Sequence, residues 1–155
     1  MKKIILSAAI CLMAVLGAQA KSSNLAFGIG FNYGTKFDQA GIGAKLQAGI
    51  TRNIRIEPEF IYFFKNDGVE TFDINCNFHY VVRLAPKVDF YPLAGLSYSN
   101  WSDDFDHSEN RFGVNLGAGL EVRLASNVGL FLEERGQLVS DFSQSVTSLG
   151  LKFRF

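Results

Sequence analysis

Hydrophobic and polar residues alternate in one segment after another from Asn24 to the last residue of the chain. The clearest case is the final stretch, where Leu149, Leu151, Phe153 and Phe155 share one face and Ser148, Gly150, Lys152 and Arg154 the other. A period of two is the signature of a strand with unlike faces. The pattern predicts eight strands, the first four near Asn24–Tyr33, Ala40–Ile50, Ile54–Phe64 and Thr71–Leu84. The other four fall near Val88–Ser99, Arg111–Leu124, Val128–Val139 and Ser145–Phe155. The connections between them alternate in length. Thr51-Arg52-Asn53, Ala85-Pro86-Lys87 and Ala125-Ser126-Asn127 are tight, whereas Gly34–Gln39, Lys65–Glu70, Asn100–Asn110 and Ser140–Gln144 are longer and polar.

Glycine decides which face of such a sheet points inward. One face carries bulky apolar groups such as Phe27, Phe31, Phe60, Phe78, Leu96 and Leu120. The other carries Gly28, Gly30, Gly41, Gly43, Gly49, Gly95, Gly113, Gly117, Gly119 and Gly150. Eight strands close around an interior only wide enough for their own side chains. The glycine face must therefore be inside and the bulky face outside, against lipid. Strands of about 10 residues suit a tilted crossing of a bilayer.

The same inward face holds Lys45, Arg55, Arg83, Arg123, Arg135, Lys152 and Arg154, together with Glu57, Glu59, Asp73, Asp89, Glu121 and Glu133. The two signs nearly cancel, and buried charges persist only when paired. The expected lumen is a salt-bridge network rather than an aqueous pore. Tyr33, Tyr62, Phe64, Tyr98 and Trp101 are placed as an aromatic girdle at one end, with Phe90, Phe153 and Phe155 at the other. Three residues fit poorly. Pro58 and Pro92 lie within strands, which calls for local bulges. Unbroken alternation also turns Glu134 toward lipid, a cost that a bulge or an interfacial position would relieve.

Residues 1–20 read as a secretory signal peptide, leaving one domain over 21–155. Lys2 and Lys3 are followed by an apolar run from Ile4 to Leu16 and a small-residue site at Ala18-Gln19-Ala20. The run is too short for a spanning helix. Without Lys2 and Lys3, 13 basic residues face 15 acidic ones, so no basic surplus points to nucleic acid. Cys76 is then the only cysteine and cannot form an internal disulfide.

The signal, the eight strands and the terminal Phe155 together resemble the small outer-membrane β-barrels of the OmpX and OmpA-transmembrane-domain group. Phe90-Tyr91-Pro92-Leu93-Ala94-Gly95-Leu96-Ser97-Tyr98 is similar to that family's middle strand. Phe131-Leu132-Glu133-Glu134-Arg135 is similar to its penultimate one, with Gly136 where an aromatic is usual. The resemblance implies a monomeric, eight-stranded antiparallel up-and-down barrel in the outer membrane, with both termini in the periplasm. It also implies that the last strand, ending at Phe155, is read by the barrel-assembly machinery. Lipopolysaccharide and an extracellular partner of the loops are the implied contacts. Function within such a family is diverse.

No catalytic, cofactor or metal residue is assigned, although several residues have suitable chemistry. His107-Ser108-Glu109 has the residue types of a lipid A deacylase, an enzyme that is also an eight-stranded barrel. Consecutive side chains in a loop diverge, however, and a triad needs them converging on rigid elements. Asp103, Asp104, Asp106 and Glu109 could bridge divalent cations to lipopolysaccharide phosphates, or simply solvate the loop. His79 is read as a member of the internal network, without a second ligand at metal-binding spacing. Cys76 is read as a small lipid-facing residue. Gly28-x-Gly30 is read as barrel wall, since no helix follows to cradle a phosphate. A lipid-modifying enzyme and a soluble ligand-binding barrel are the competing readings.

Overall fold

The computed structural model of the protein describes residues 24–105, 107–141 and 143–155. The signal-peptide reading of residues 1–20 and the placement of Asp106 lie outside the described residues. The chain forms antiparallel strands β1 (Leu25–Gly34), β2 (Gln39–Gly49), β3 (Ile54–Asn66), β4 (Val69–Tyr80) and β5 (Val82–Ala85). β6 (Val88–Asp103), β7 (Ser108–Arg123), β8 (Val128–Val139) and β9 (Gln144–Arg154) follow. Their order in the sheet is β4-β3-β2-β1-β9-β8-β7-β6-β5, and β4 also pairs with β6, which closes the barrel.

β4 and β5 are two halves of one barrel strand. His79 pairs with Leu93 and Val82 with Phe90, so both halves share one register against β6. The pairs missing between them include Tyr80 opposite Pro92. A proline has no N–H to give the ladder. Pro58 acts alike, because the β2–β3 ladder holds one register on both sides but lacks the pairs around Pro58. Neither proline sits in a bulge. Each deletes a rung and leaves the register intact, so the eight-stranded expectation holds.

Alternation runs unbroken through β8 as well. Glu133 pairs with Ser148 and Glu134 with Thr147, with no shift between them. Glu134 therefore does face outward, and of its two expected reliefs the bulge is not there. Instead, the hydroxyls of Ser145 and Thr147 on the neighbouring strand donate to its two carboxylate oxygens. Cys76 also faces outward, in the same row as Pro58 and Leu96.

The outer wall is apolar and open: Phe31 is 73% exposed, Leu96 67% and Phe112 79%. Aromatic rings climb diagonally across it from Phe60 to Phe72 (centroids 6.1 Å apart), Tyr98 (6.5 Å) and Phe112 (5.1 Å). Trp101 is not part of this girdle. It lies on the odd-numbered face of β6, buried, with Phe37 edge-on at 6.2 Å, and closes one end of the lumen from within. Ile61, Phe63 and Val146 form the apolar cluster inside the barrel.

The expected difference in loop length is absent. β6 and β7 continue as a paired hairpin through Asn100↔Asn110, Trp101↔Glu109 and Ser102↔Ser108, so that four residues separate the two strands. β3 and β4 are joined by Asp67-Gly68 alone, with φ of 49° and 81°, the left-handed pair that a tight hairpin requires. Strand pairing thus consumes the polar segments at this end. At the other end Phe155 N donates to Leu25 O at 2.9 Å, bringing the two ends of the described chain together.

Candidate functional site: the charged lumen

Nine of the thirteen charges placed on the inward face by sequence are buried in the barrel. Room for them comes from the glycines. A Cβ on Gly119 would stand 2.3 Å from the Tyr91 ring, and one on Gly28 2.8 Å from the Lys45 side chain. Both long side chains cross the lumen over a neighbouring strand that offers no side chain of its own.

Two cations organise the middle layer. Lys45 Nζ on β2 donates to Glu57 Oε1 at 2.9 Å and to Glu133 Oε2 at 3.3 Å, with Glu59 Oε1 at 3.4 Å. Arg135 Nη1 on β8 donates to Glu59 Oε2 at 2.6 Å and Glu133 Oε1 at 3.1 Å. β2 and β3 are thereby tied to β8 across the lumen. Tyr91 OH donates to Glu133 Oε2 at 3.2 Å, and its ring stacks on His79 at 4.6 Å. Charges this deeply buried need such partners, since an unpaired one costs several kcal/mol.

Toward the Trp101 end the lumen is filled mainly by amides and hydroxyls, with the carboxylate of Asp73 among them. Gln137 Nε2 donates to Asp73 Oδ2 (3.1 Å) and Ser99 Oγ (3.2 Å), and Asn115 Nδ2 to Asn75 Oδ1 (3.0 Å) and Asn77 Oδ1 (2.9 Å). These asparagines and glutamines were not singled out by sequence. Their inward parity was the signal that could have found them. Toward the opposite mouth, Glu121 takes Lys152 Nζ (2.7 Å), Arg55 Nη1 (3.2 Å) and Arg154, and Asp89 takes Arg83 (3.1 Å) and Arg123 (3.2 Å).

His79 does join the internal network, as expected. The structure also brings it together with Glu57 and Glu133, all three offering ligand atoms within 4.8 Å of one another. Sequence reasoning missed this group because its members lie on three strands. The Lys45 ammonium is bonded to both carboxylates, in the position a metal cation would share.

His107, Ser108 and Glu109 are turned to different partners. His107 Nδ1 lies 3.7 Å from Asp103 Oδ1, Ser108 pairs with Ser102 in the hairpin, and Glu109 Oε2 accepts from Arg111 Nη2 at 2.9 Å. The acidic residues are likewise engaged one by one. Asp104 contacts Lys65, and Asp103 Oδ1 accepts the N–H groups of Phe105 (3.0 Å) and His107 (3.1 Å). Gly28 and Gly30 pair with both β2 and β9 as barrel wall.

A closed sheet with an apolar outer wall and a lumen packed with paired charge defines a membrane-spanning β-barrel. A soluble barrel that holds an apolar ligand needs the reverse arrangement, with its polar face outward. The chain belongs to the outer membrane protein beta-barrel domain family, whose model matches residues 6–155. It is an outer-membrane protein. Its fold is similar to that of the N-terminal β-barrel domain of Pseudomonas aeruginosa OprF, with a TM-score of 0.74 at 17% identity, covering 86% of this chain and 98% of that one. Neisserial surface protein A aligns with a TM-score of 0.63 at 17% identity, covering 85% and 96%. The attachment invasion locus protein Ail of Yersinia pestis aligns with a TM-score of 0.60 at 16% identity, covering 85% and 97%. At these identities the likeness is one of fold. Among curated proteins none matches the chain in sequence.

Proposed function

We propose that the protein is a monomeric outer-membrane barrel with a structural or surface-contact role, acting through its outer hairpins and without catalytic turnover. The observation that carries this reading is the lumen, closed between Trp101 and the mouth beside Arg154 by buried, paired side chains, which argues against a diffusion channel. In this reading residues 1–20 are removed on export, both termini lie in the periplasm, and the assembly machinery reads β9 through Phe155. The hairpin turns at 35–38, 67–68, 104–107 and 140–143 then face outward, against lipopolysaccharide or a partner on another surface. Ail, a barrel named for attachment, has been solved with the heparin analogue sucrose octasulfate, which supports looking for polar partners of this barrel.

The test compares lipid A mass spectra, and surface attachment to immobilised lipopolysaccharide, between cells with and without the protein. Lipid A should be identical, and attachment should fall when residues 104–107 are replaced by a minimal turn. A change in lipid A acyl chains that disappears with His107→Ala or Ser108→Ala would overturn the reading. So would attachment that ignores all four hairpins.

A further inference from the structure

The thirteen inward charges nearly cancel in sum but not in place. Two carboxylates, Asp89 and Glu121, meet five cations at the mouth beside Phe155, whereas Lys45 and Arg135 meet three glutamates in the middle. The four inward charges that are not fully buried are Arg55, Arg83, Arg123 and Arg154, and all four line one cavity of about 190 Å³ at this mouth. Several of their donors are buried without any acceptor: Nε and Nη2 of Arg55, Nε of Arg123 and Nη1 of Arg154. Buried guanidinium N–H groups left open are rare and costly, and they need an explanation. Asp89 Oδ1 and Oδ2 are already occupied by Arg83 and Arg123.

We propose that this mouth is an oxyanion site for a phosphate group. Guanidinium forks match phosphate oxygens in shape and charge, and four arginines line this one cavity, three of them with donors still in want of an acceptor. Such an ion would offset most of the surplus of three positive charges at this end. The group could come from a free phosphate or from a phospholipid headgroup at the membrane edge. The site rests on the barrel itself. The proposed orientation adds only that the mouth faces the periplasm, so a failure here leaves the surface role standing.

The test uses the refolded protein in maltoside micelles, following arginine Nε–H resonances as inorganic phosphate is added, against chloride at equal ionic strength. Saturable shifts at Arg55, Arg123 and Arg154 are expected with phosphate and not with chloride. Arg123→Ala should weaken binding about tenfold. Asp89→Asn should tighten it by releasing Arg83 and Arg123, a gain that misfolding cannot imitate. Nanodiscs of phosphatidylcholine, with and without phosphatidylglycerol, then separate the sources. Shifts with phosphatidylglycerol in phosphate-free buffer assign a headgroup, and shifts only with added phosphate assign a solute. No saturable response to either, or an equal response to chloride, overturns the proposal, as does an Arg123→Ala barrel that binds unchanged.

Discussion

Arg135 is fully buried and bonds two glutamates on different strands, so the interior cannot relax around its loss. Arg135→Met should cost about 3–5 kcal/mol, because it leaves Glu59 and Glu133 to share Lys45 alone. Equilibrium unfolding in urea from lipid vesicles measures this, and a loss under 1 kcal/mol (about that of an exposed pair) would mean the network is not what holds the lumen. At this scale the sequence was readable wherever parity was applied without exception. Parity placed Arg135, Lys45 and their carboxylates inside. It also required Trp101 to point inward, yet its proximity to a strand end drew it to the girdle. Glu134 shows the opposite case, since its outward position was implied by alternation and resisted only because of its charge. What parity could not show was the neighbouring strand's hydroxyls at Ser145 and Thr147, which serve that charge.

Pro92 explains the one interrupted strand. Its missing N–H removes the rung opposite Tyr80, and the register resumes at Val82. Pro92→Ala should restore that rung, slow amide exchange at Tyr80 and Val82, and raise stability by about 0.5–1.5 kcal/mol. Unchanged exchange at both amides would place the cause of the break elsewhere. Strand number was legible because each segment alternates over about ten residues. Strand ends were not, because Asn100–Asp103 and Ser108–Asn110 are polar apart from Trp101 and read as loop. They pair regardless, since cross-strand hydrogen bonds do not depend on an apolar side chain. That extension turned the supposed flexible loop into a hairpin, and it dispersed His107, Ser108 and Glu109 among separate partners.

For the whole molecule, the near-balance of the thirteen inward charges followed from sequence. The structure meets it only with the four arginines at one mouth, since the nine buried charges are three cations and six carboxylates. Their segregation into an acidic middle and a basic mouth did not follow. It depends on how β3, β7, β8 and β9 stagger around the barrel, which strand order and register determine together. The side chains of the middle layer and the Trp101 end fill this lumen and hold it shut. Planar-bilayer recording of the purified, refolded protein tests that closure most directly. The expected result is a baseline without steady open levels, broken at most by brief, small fluctuations, and steadier openings in Arg135→Met, where the middle layer is broken. A large, stable conductance from the unaltered protein would contradict the account.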